Sequence, residues 1–269
     1  MRAKTTGAFG WRSLLLVVMS AVGLPGAVTL ATPAVSDAHA PRVQVPGPPA
    51  NPNTIVCNQP WLASNWSGYA LNCATFTSVS GTWTVPTVEH SEKKSRYSAT
   101  WVGIDGFNQN DGNLIQAGTE QDWNHGVASY GAWWEVLPAY ETPITSITVH
   151  PGDVMTVSIV KGSPDWTITV TDITTDRSFS TQQSFSGDGE SAEWIQEAPT
   201  VNGAIARLAH DSTFAFSDAT ANGVNPGFTT DNVGRMVQRR KVVSTPSAPN
   251  AGQNGFAVAY GKVAPPPPG

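Results

Sequence analysis

Apolar and polar residues alternate with a period of two along most of the chain beyond Cys57, in short runs set off by turn residues. In DWTITV, Trp166, Ile168 and Val170 interleave with Thr167, Thr169 and Thr171. SGTWTVPTV, SATWVGID, ASYGAWWEVLP, ITSITVHPGDVMTVSIV, STFAFSDAT and GFAVAYGKV read the same way, as strands. Pro151-Gly152-Asp153 and Gly162-Ser163-Pro164 supply turns between such runs. No long stretch keeps the 3.6-residue apolar period of a helix. The pattern predicts an all-β protein, a lectin-like (concanavalin) β-sandwich of two large antiparallel sheets with one solvated face each.

The first 56 residues follow a different pattern. Arg2, Lys4 and Arg12 precede the apolar run SLLLVVMSAVGLPGAV, and small residues with AHA at Ala38 to Ala40 come after it. This is the order of a secretory signal peptide, assigned to residues 1–40; Ala34 is an alternative cleavage position because cutting after Ala40 leaves Pro41 first. Gly23, Pro25 and Gly26 break the run and make it a poor membrane span. Residues 41–56, PRVQVPGPPANPNTIV, read as a Pro-rich leader or short propeptide, and residues 264–269 as a disordered or polyproline tail. The sandwich is expected over residues 57–263.

Composition narrows the function classes. Of 269 residues only 13% are charged, against 40% hydrophobic, with 25 Gly, 21 Pro and 10 Trp, a profile suited to an extracellular β protein. A net charge of -5 without long charge runs argues against nucleic acid as a partner. Cys57 and Cys73 are the only cysteines, and in an oxidising compartment they pair; closing so short a loop contributes roughly 3 kcal/mol in the chain-entropy model. The five histidines lack metal or triad spacing, and GxSxG, HExxH and CxxC are absent, so neither a metal nor a cofactor is expected.

What remains is a set of carboxylates and amides among aromatics. ATWVGIDGFNQNDGNLIQAGTEQD, YGAWWEVLPAY and SAEWIQEAP, preceded by SNWSGYA and SGTWTVP, resemble in order the signature blocks of the glutamic peptidase family, the eqolisins, from Ser64 to about Tyr260. The resemblance implies a catalytic dyad of Gln116, in LIQAG, and Glu193, in AEWI. It further implies that Asp105 supports the glutamine, that Trp101, Trp133 and Glu135 line the cleft, and that the sandwich holds a peptide on a concave face. The chain departs from the family in its short leader before Cys57 and its fifteen Lys and Arg.

The implied chemistry is a secreted acid endopeptidase without a covalent step. Glu193 takes a proton from water and later gives it to the leaving amine, while Gln116 holds the water and stabilises the oxyanion. Polypeptides are the expected substrates, with no membrane partner after signal cleavage and a monomeric state. Each residue also has a plainer reading: Glu193 as a solvated strand end, Gln116 as a sheet-edge hydrogen-bonder, Asp105 as a turn residue and the tryptophans as core. Of Trp133 and Trp134, strand alternation lets only one face a given cleft. Asn65-Trp66-Ser67 fits a glycosylation sequon.

Two rival functions stay open on the sequence. A carbohydrate-binding lectin-like sandwich would stack exposed tryptophans on sugar rings, without any need for Gln116 and Glu193 to converge on one solvent-accessible groove. A jelly-roll glycoside hydrolase would need two carboxylates about 5 to 10 Å apart, for which Glu135 and Glu193 are candidates.

Overall fold

Strand pairing decides the architecture, and with one exception every pairing between the strands of the main sheet is antiparallel. The computed structural model describes residues 57–89, 94–108 and 112–269. The predicted signal peptide and leader lie outside the described residues. The strands are β1 (Trp61–Ala63), β2 (Trp66–Asn72), β3 (Ser78–Thr84), β4 (Ala99–Ile104), β5 (Ile115–Asn124) and β6 (Val127–Val136). They continue as β7 (Thr142–Pro143), β8 (Val154–Lys161), β9 (Trp166–Asp172), β10 (Arg177–Gln183), β11 (Ser191–Glu197), β12 (Thr200–Val201) and β13 (Ala204–Ile205). The last are β14 (Phe214–Ala221), β15 (Val233–Gln238), β16 (Lys241–Pro246) and β17 (Phe256–Tyr260). The only helical element among the described residues is a single 3-10 turn, Thr230–Asn232.

The two expected sheets are halves of one hydrogen-bonded sheet. Its strand order runs β10-β9-β8-β3-β14-β17-β16-β15-β2-β11-β4-β5-β6-β7, with β1 paired in parallel to β15. The segment β17-β16-β15 links the first layer, β10 to β14, to the second, β2 to β7. The layers face each other across one core, in which Val157, Ile159, Ile168 and Val170 meet Val102, Ile104, Ala117 and Trp194. Two buried indoles bridge the layers through their N–H groups, which need acceptors when removed from water. Trp83 Nε1 on β3 donates to Thr119 Oγ1 on β5 at 3.1 Å, and Trp194 Nε1 on β11 donates to the Ser80 carbonyl on β3 at 2.8 Å.

The expectation of one solvated face per sheet holds for the first layer, where β8 and β9 alternate buried and half-buried residues. It fails for the second. Every residue of β4 and β11 is buried, because a second apolar cluster with Trp61, Trp66, Trp101, Phe107 and Trp133 packs on the face turned away from the core. Cys57 and Cys73 form the expected disulfide, tying the chain before β1 to the end of β2. Asn65 is fully buried, which rules out its glycosylation in the folded chain. In the proline tail, Pro265 and Pro268 are half-buried, and Ala264 lines a cavity of about 530 Å³ with Trp61, Tyr69 and Pro246.

Candidate active site

Register builds the site. On β11, Ala192 and Trp194 enter the main core, so Glu193, Ile195 and Glu197 project from the opposite face. Glu193 pairs with Ala70 on β2 and Gly103 on β4; Gly103 pairs with Gln116 on β5, and Gln116 with Glu135 on β6. Ala70, Glu193, Gly103, Gln116 and Glu135 therefore form one row straight across the second layer. Neighbouring strands lie about 4.8 Å apart, which puts the Glu193 and Gln116 backbones about 10 Å apart with only a glycine between them. The next row is Gly68, Ile195, Trp101, Gly118 and Trp133, and the one after it Trp66, Glu197, Ala99, Glu120 and Gly131.

Any side chain at Gly103 would crowd this row. A Cβ there would lie 3.0 Å from Trp101 Cζ3 and 3.2 Å from Gln116 Cβ. Gln116 and Glu193 are both fully buried. The Gln116 amide is oriented by Glu135, whose Oε2 accepts from Nε2 at 2.7 Å. The accepting carboxyl oxygen selects the N–H side of the amide. Gln116 Oε1, buried, has no hydrogen-bond partner among the described residues.

Asp105 stands in a turn, as its plainer reading has it, and the bonds described for it run to the approach to β11. Its φ of 70° marks a turn at the end of β4, and its carboxylate accepts from the backbone N–H groups of Gly189 at 3.0 Å and Glu190 at 2.6 Å. Those bonds fasten the segment that leads into β11 and thereby place Glu193. Trp101 and Trp133 belong to the apolar cluster on the Glu193 face, whereas Trp134 packs against the main core, the division that alternation requires.

This arrangement coincides with a family match over residues 64–260, to the model described as the Peptidase A4 family. The chain belongs to the Peptidase A4 family. Membership makes it a glutamic endopeptidase, as the names of its relatives indicate. It is 30% identical to aspergillopepsin-2 of Aspergillus niger over 192 residues, 61% of this chain and 67% of the relative. It is 33% identical to scytalidopepsin B of Scytalidium lignicola over 141 residues, 51% of this chain and 52% of that protein. Among solved structures, a scytalido-glutamic peptidase with a transition state analog inhibitor matches with a TM-score of 0.63 at 25% identity, covering 73% of this chain and 98% of that one. Aspergilloglutamic peptidase from Aspergillus niger matches with a TM-score of 0.52 at 28% identity, covering 61% and 99%.

Within this Peptidase A4 chain the rival readings lack their parts. The described tryptophans are buried or, at Trp134, half-buried, so the exposed tryptophans of the carbohydrate-binding reading are not found among the described residues. Glu135 is engaged by Gln116, which stands between it and Glu193 in the row, so the pair does not face across an open site. One expectation also needs correction: the dyad positions share a face, but in this structure they are not solvent-accessible.

Sequence reasoning passed over several buried polar groups. Glu197 Oε2 accepts from Trp101 Nε1 at 2.9 Å, and its spacing of four from Glu193 on a strand was a readable sign that both share a face. A chain of hydrogen bonds runs from Ser67 to Ser244 at 2.6 Å, from Ser244 to Gln196 at 2.6 Å and from Gln196 to Asp211 Oδ2 at 2.8 Å. Burial pushes the Asp211 carboxyl up to about 7, with Glu89 adding to the rise and the polar side chains of Ser98 and Gln196 opposing it. Asp122 is likewise held well above the usual carboxylate range by burial and by Glu120, with Glu141 and Asp211 adding and the Ser98 N–H opposing. No short motif announces these groups, because the fold assembles them from distant segments.

Proposed function

We propose that the chain is a secreted endopeptidase of acidic media in which Glu193 and Gln116 are the catalytic residues and polypeptides the substrates. The observation that carries the reading is the single row that sets Glu193 and Gln116 on one face, two strands apart, with a glycine between. The Glu193 carboxylate takes a proton from water as the water oxygen bonds to the scissile carbonyl carbon. The carbonyl oxygen becomes an oxyanion, and the carboxylic acid formed on Glu193 then protonates the amide nitrogen as the C–N bond breaks. One product leaves as a carboxylic acid and the other as an amine, with no bond to the protein at any stage.

Glu135 gives the glutamine its direction. With one Nε2 hydrogen held by Glu135, the second remains for the oxyanion, and Oε1 remains to accept from the water. An amide beside an acid also avoids the like-charge repulsion that makes paired carboxylates share a proton. Asp105 acts from behind by fixing the entry to β11. The buried state of the row requires the apolar side chains over it to part when a peptide binds. Export rests on the charged, apolar and small-residue order of residues 1–40, and the peptidase unit is residues 57–263, following a leader at 41–56.

The test is digestion of a denatured protein from pH 2 to 7 by wild type, Glu193→Gln and Gln116→Ala, with pepstatin and a chelator as controls. Activity that survives both inhibitors, vanishes in Glu193→Gln and falls about 100- to 1000-fold in Gln116→Ala is expected, the last being the usual loss for an oxyanion donor. An active Glu193→Gln protein would sink the assignment.

A further inference from the structure

The indole of Trp101 links Glu197 to the catalytic row. Its Nε1 donates to Glu197 Oε2 at 2.9 Å, toward the row that contains Ala99 and Glu197. Its far edge, Cζ3, comes within 3.0 Å of where a Cβ of Gly103 would lie, in the row between Glu193 and Gln116. The ring therefore lies along the sheet, with one end anchored by a buried carboxylate and the other forming the floor between the two reacting side chains. Trp66 packs edge-on at 4.8 Å between centroids, and Gly118 supplies space beside it, since a Cβ there would collide with Trp101 Cβ and the Thr100 carbonyl. Trp101 and Glu197 are both fully buried.

A ring packed on one side by an edge contact still has freedom to tilt about its side-chain torsions. The hydrogen bond to Glu197 removes that freedom at the end opposite the chemistry, where a small rotation would translate into displacement at Cζ3. Because no side chain stands at position 103, the Cζ3 edge of the indole occupies the space beside the glycine that separates Glu193 from Gln116 in the row. We infer that Glu197 is a positioning residue for peptide hydrolysis, acting through the Trp101 indole to hold the floor of the dyad. The inference rests on Glu193 and Gln116 being the catalytic pair. It requires of Glu197 only an acceptor oxygen, not a charge, and no proton exchange with the substrate.

The test compares kcat and KM on a short peptide for wild type, Glu193→Gln, Glu197→Ala, Glu197→Gln, Trp101→Phe and Glu197→Ala/Trp101→Phe, with thermal unfolding of each. Glu197→Ala should lose about 10- to 100-fold in kcat, the scale of a sub-ångström to 1 Å misplacement, with KM little changed. Glu197→Gln, which keeps the acceptor, should stay within about threefold of wild type, and its kcat–pH profile should not move. Trp101→Phe keeps a ring and loses the N–H, so the double variant should be no slower than the slower single variant. Wild-type kcat in a folded Glu197→Ala protein, an equally slow Glu197→Gln, or multiplying losses in the double variant would each overturn the inference. Should Glu197→Ala not fold, a fast Glu197→Gln with a slow Trp101→Phe supports it and the reverse refutes it. An active Glu193→Gln protein would instead refute the dyad itself, and this inference with it.

Discussion

Replacing Asp211 by asparagine should remove a specific part of the pH dependence of stability. The Asp211 carboxyl has an ordinary value of 3.8 and is raised by burial to about 7 in the folded chain. A carboxyl raised on folding stabilises the native state when protonated in both states, so its contribution is complete below pH 3.8. The contribution shrinks as pH climbs through the window between 3.8 and about 7, because the unfolded chain ionises first and the folded chain resists, and above it the contribution is gone. The size follows from the gap between the two values, which corresponds to about 4 kcal/mol. Glu89 and Asp122 face the same group, and Tyr130 senses its charge, so the wild-type curve contains other titrations and only the difference between proteins isolates Asp211.

The assay is urea unfolding of wild type and Asp211→Asn at pH 3.5 and pH 7.5. The asparagine oxygen can still accept from Gln196, so at pH 3.5 the two proteins should lie within about 1 to 2 kcal/mol, the scale of one buried hydrogen bond. At pH 7.5 the variant should have gained about 4 kcal/mol relative to wild type. A stability difference that stays constant between the two pH values would refute the reasoning, since it would mean that the folded and unfolded chains titrate this group alike.

Two further outcomes follow from the site and its surroundings. Gly103→Ala should fold with a loss of about 1 to 3 kcal/mol from overpacking against Trp101 Cζ3 and Gln116 Cβ, and should lose kcat well beyond that of an alanine placed at an exposed strand position; unfolding midpoints and turnover read the two effects. Replacing Cys57 and Cys73 by serine should lower stability by roughly 3 kcal/mol, measured in denaturant, while leaving kcat near wild type because neither residue stands in the catalytic row.

How far the sequence could be read depended on whether a feature was local. Alternation in DWTITV placed Trp166, Ile168 and Val170 inward and the threonines outward, as β9 shows. Alternation also separated Trp133 from Trp134. It did not reveal that β4 and β11 are buried on both faces, because Trp101, Ile195 and the uncharged neighbours of Glu193 look the same whether water or a second apolar cluster lies over them. Gln116 and Glu193 were singled out through their blocks, not through their spacing; the register that aligns them is a property of three strands, β5, β4 and β11, the last from a distant stretch of chain. Asp105 was readable as a turn, yet its grip on Gly189 and Glu190 spans more than eighty residues. Asp211 had no local sign at all, since its environment comes from Gln196, Ser98 and Glu89.

The buried carboxyls bear on the proposed activity in acid, through two causes that can be separated. Ionising Asp211 or Asp122 in place costs stability, so the fold weakens as pH rises whether or not the catalytic groups are affected. In the proposed mechanism catalysis, by contrast, depends on the protonation of Glu193 and the orientation that Glu135 gives to Gln116, and the hydrogen bonds described for Asp211 run to neither. Asp211→Asn should therefore extend the upper pH at which the protein survives prolonged incubation, while the kcat profile measured in brief assays on the acid side keeps its wild-type shape. Incubation at neutral pH followed by assay in acid measures the first, and initial rates across the acid range measure the second. A shift of both together would mean that the polar chain through Gln196 reaches the catalytic row, and that stability and turnover in this fold share one titrating network.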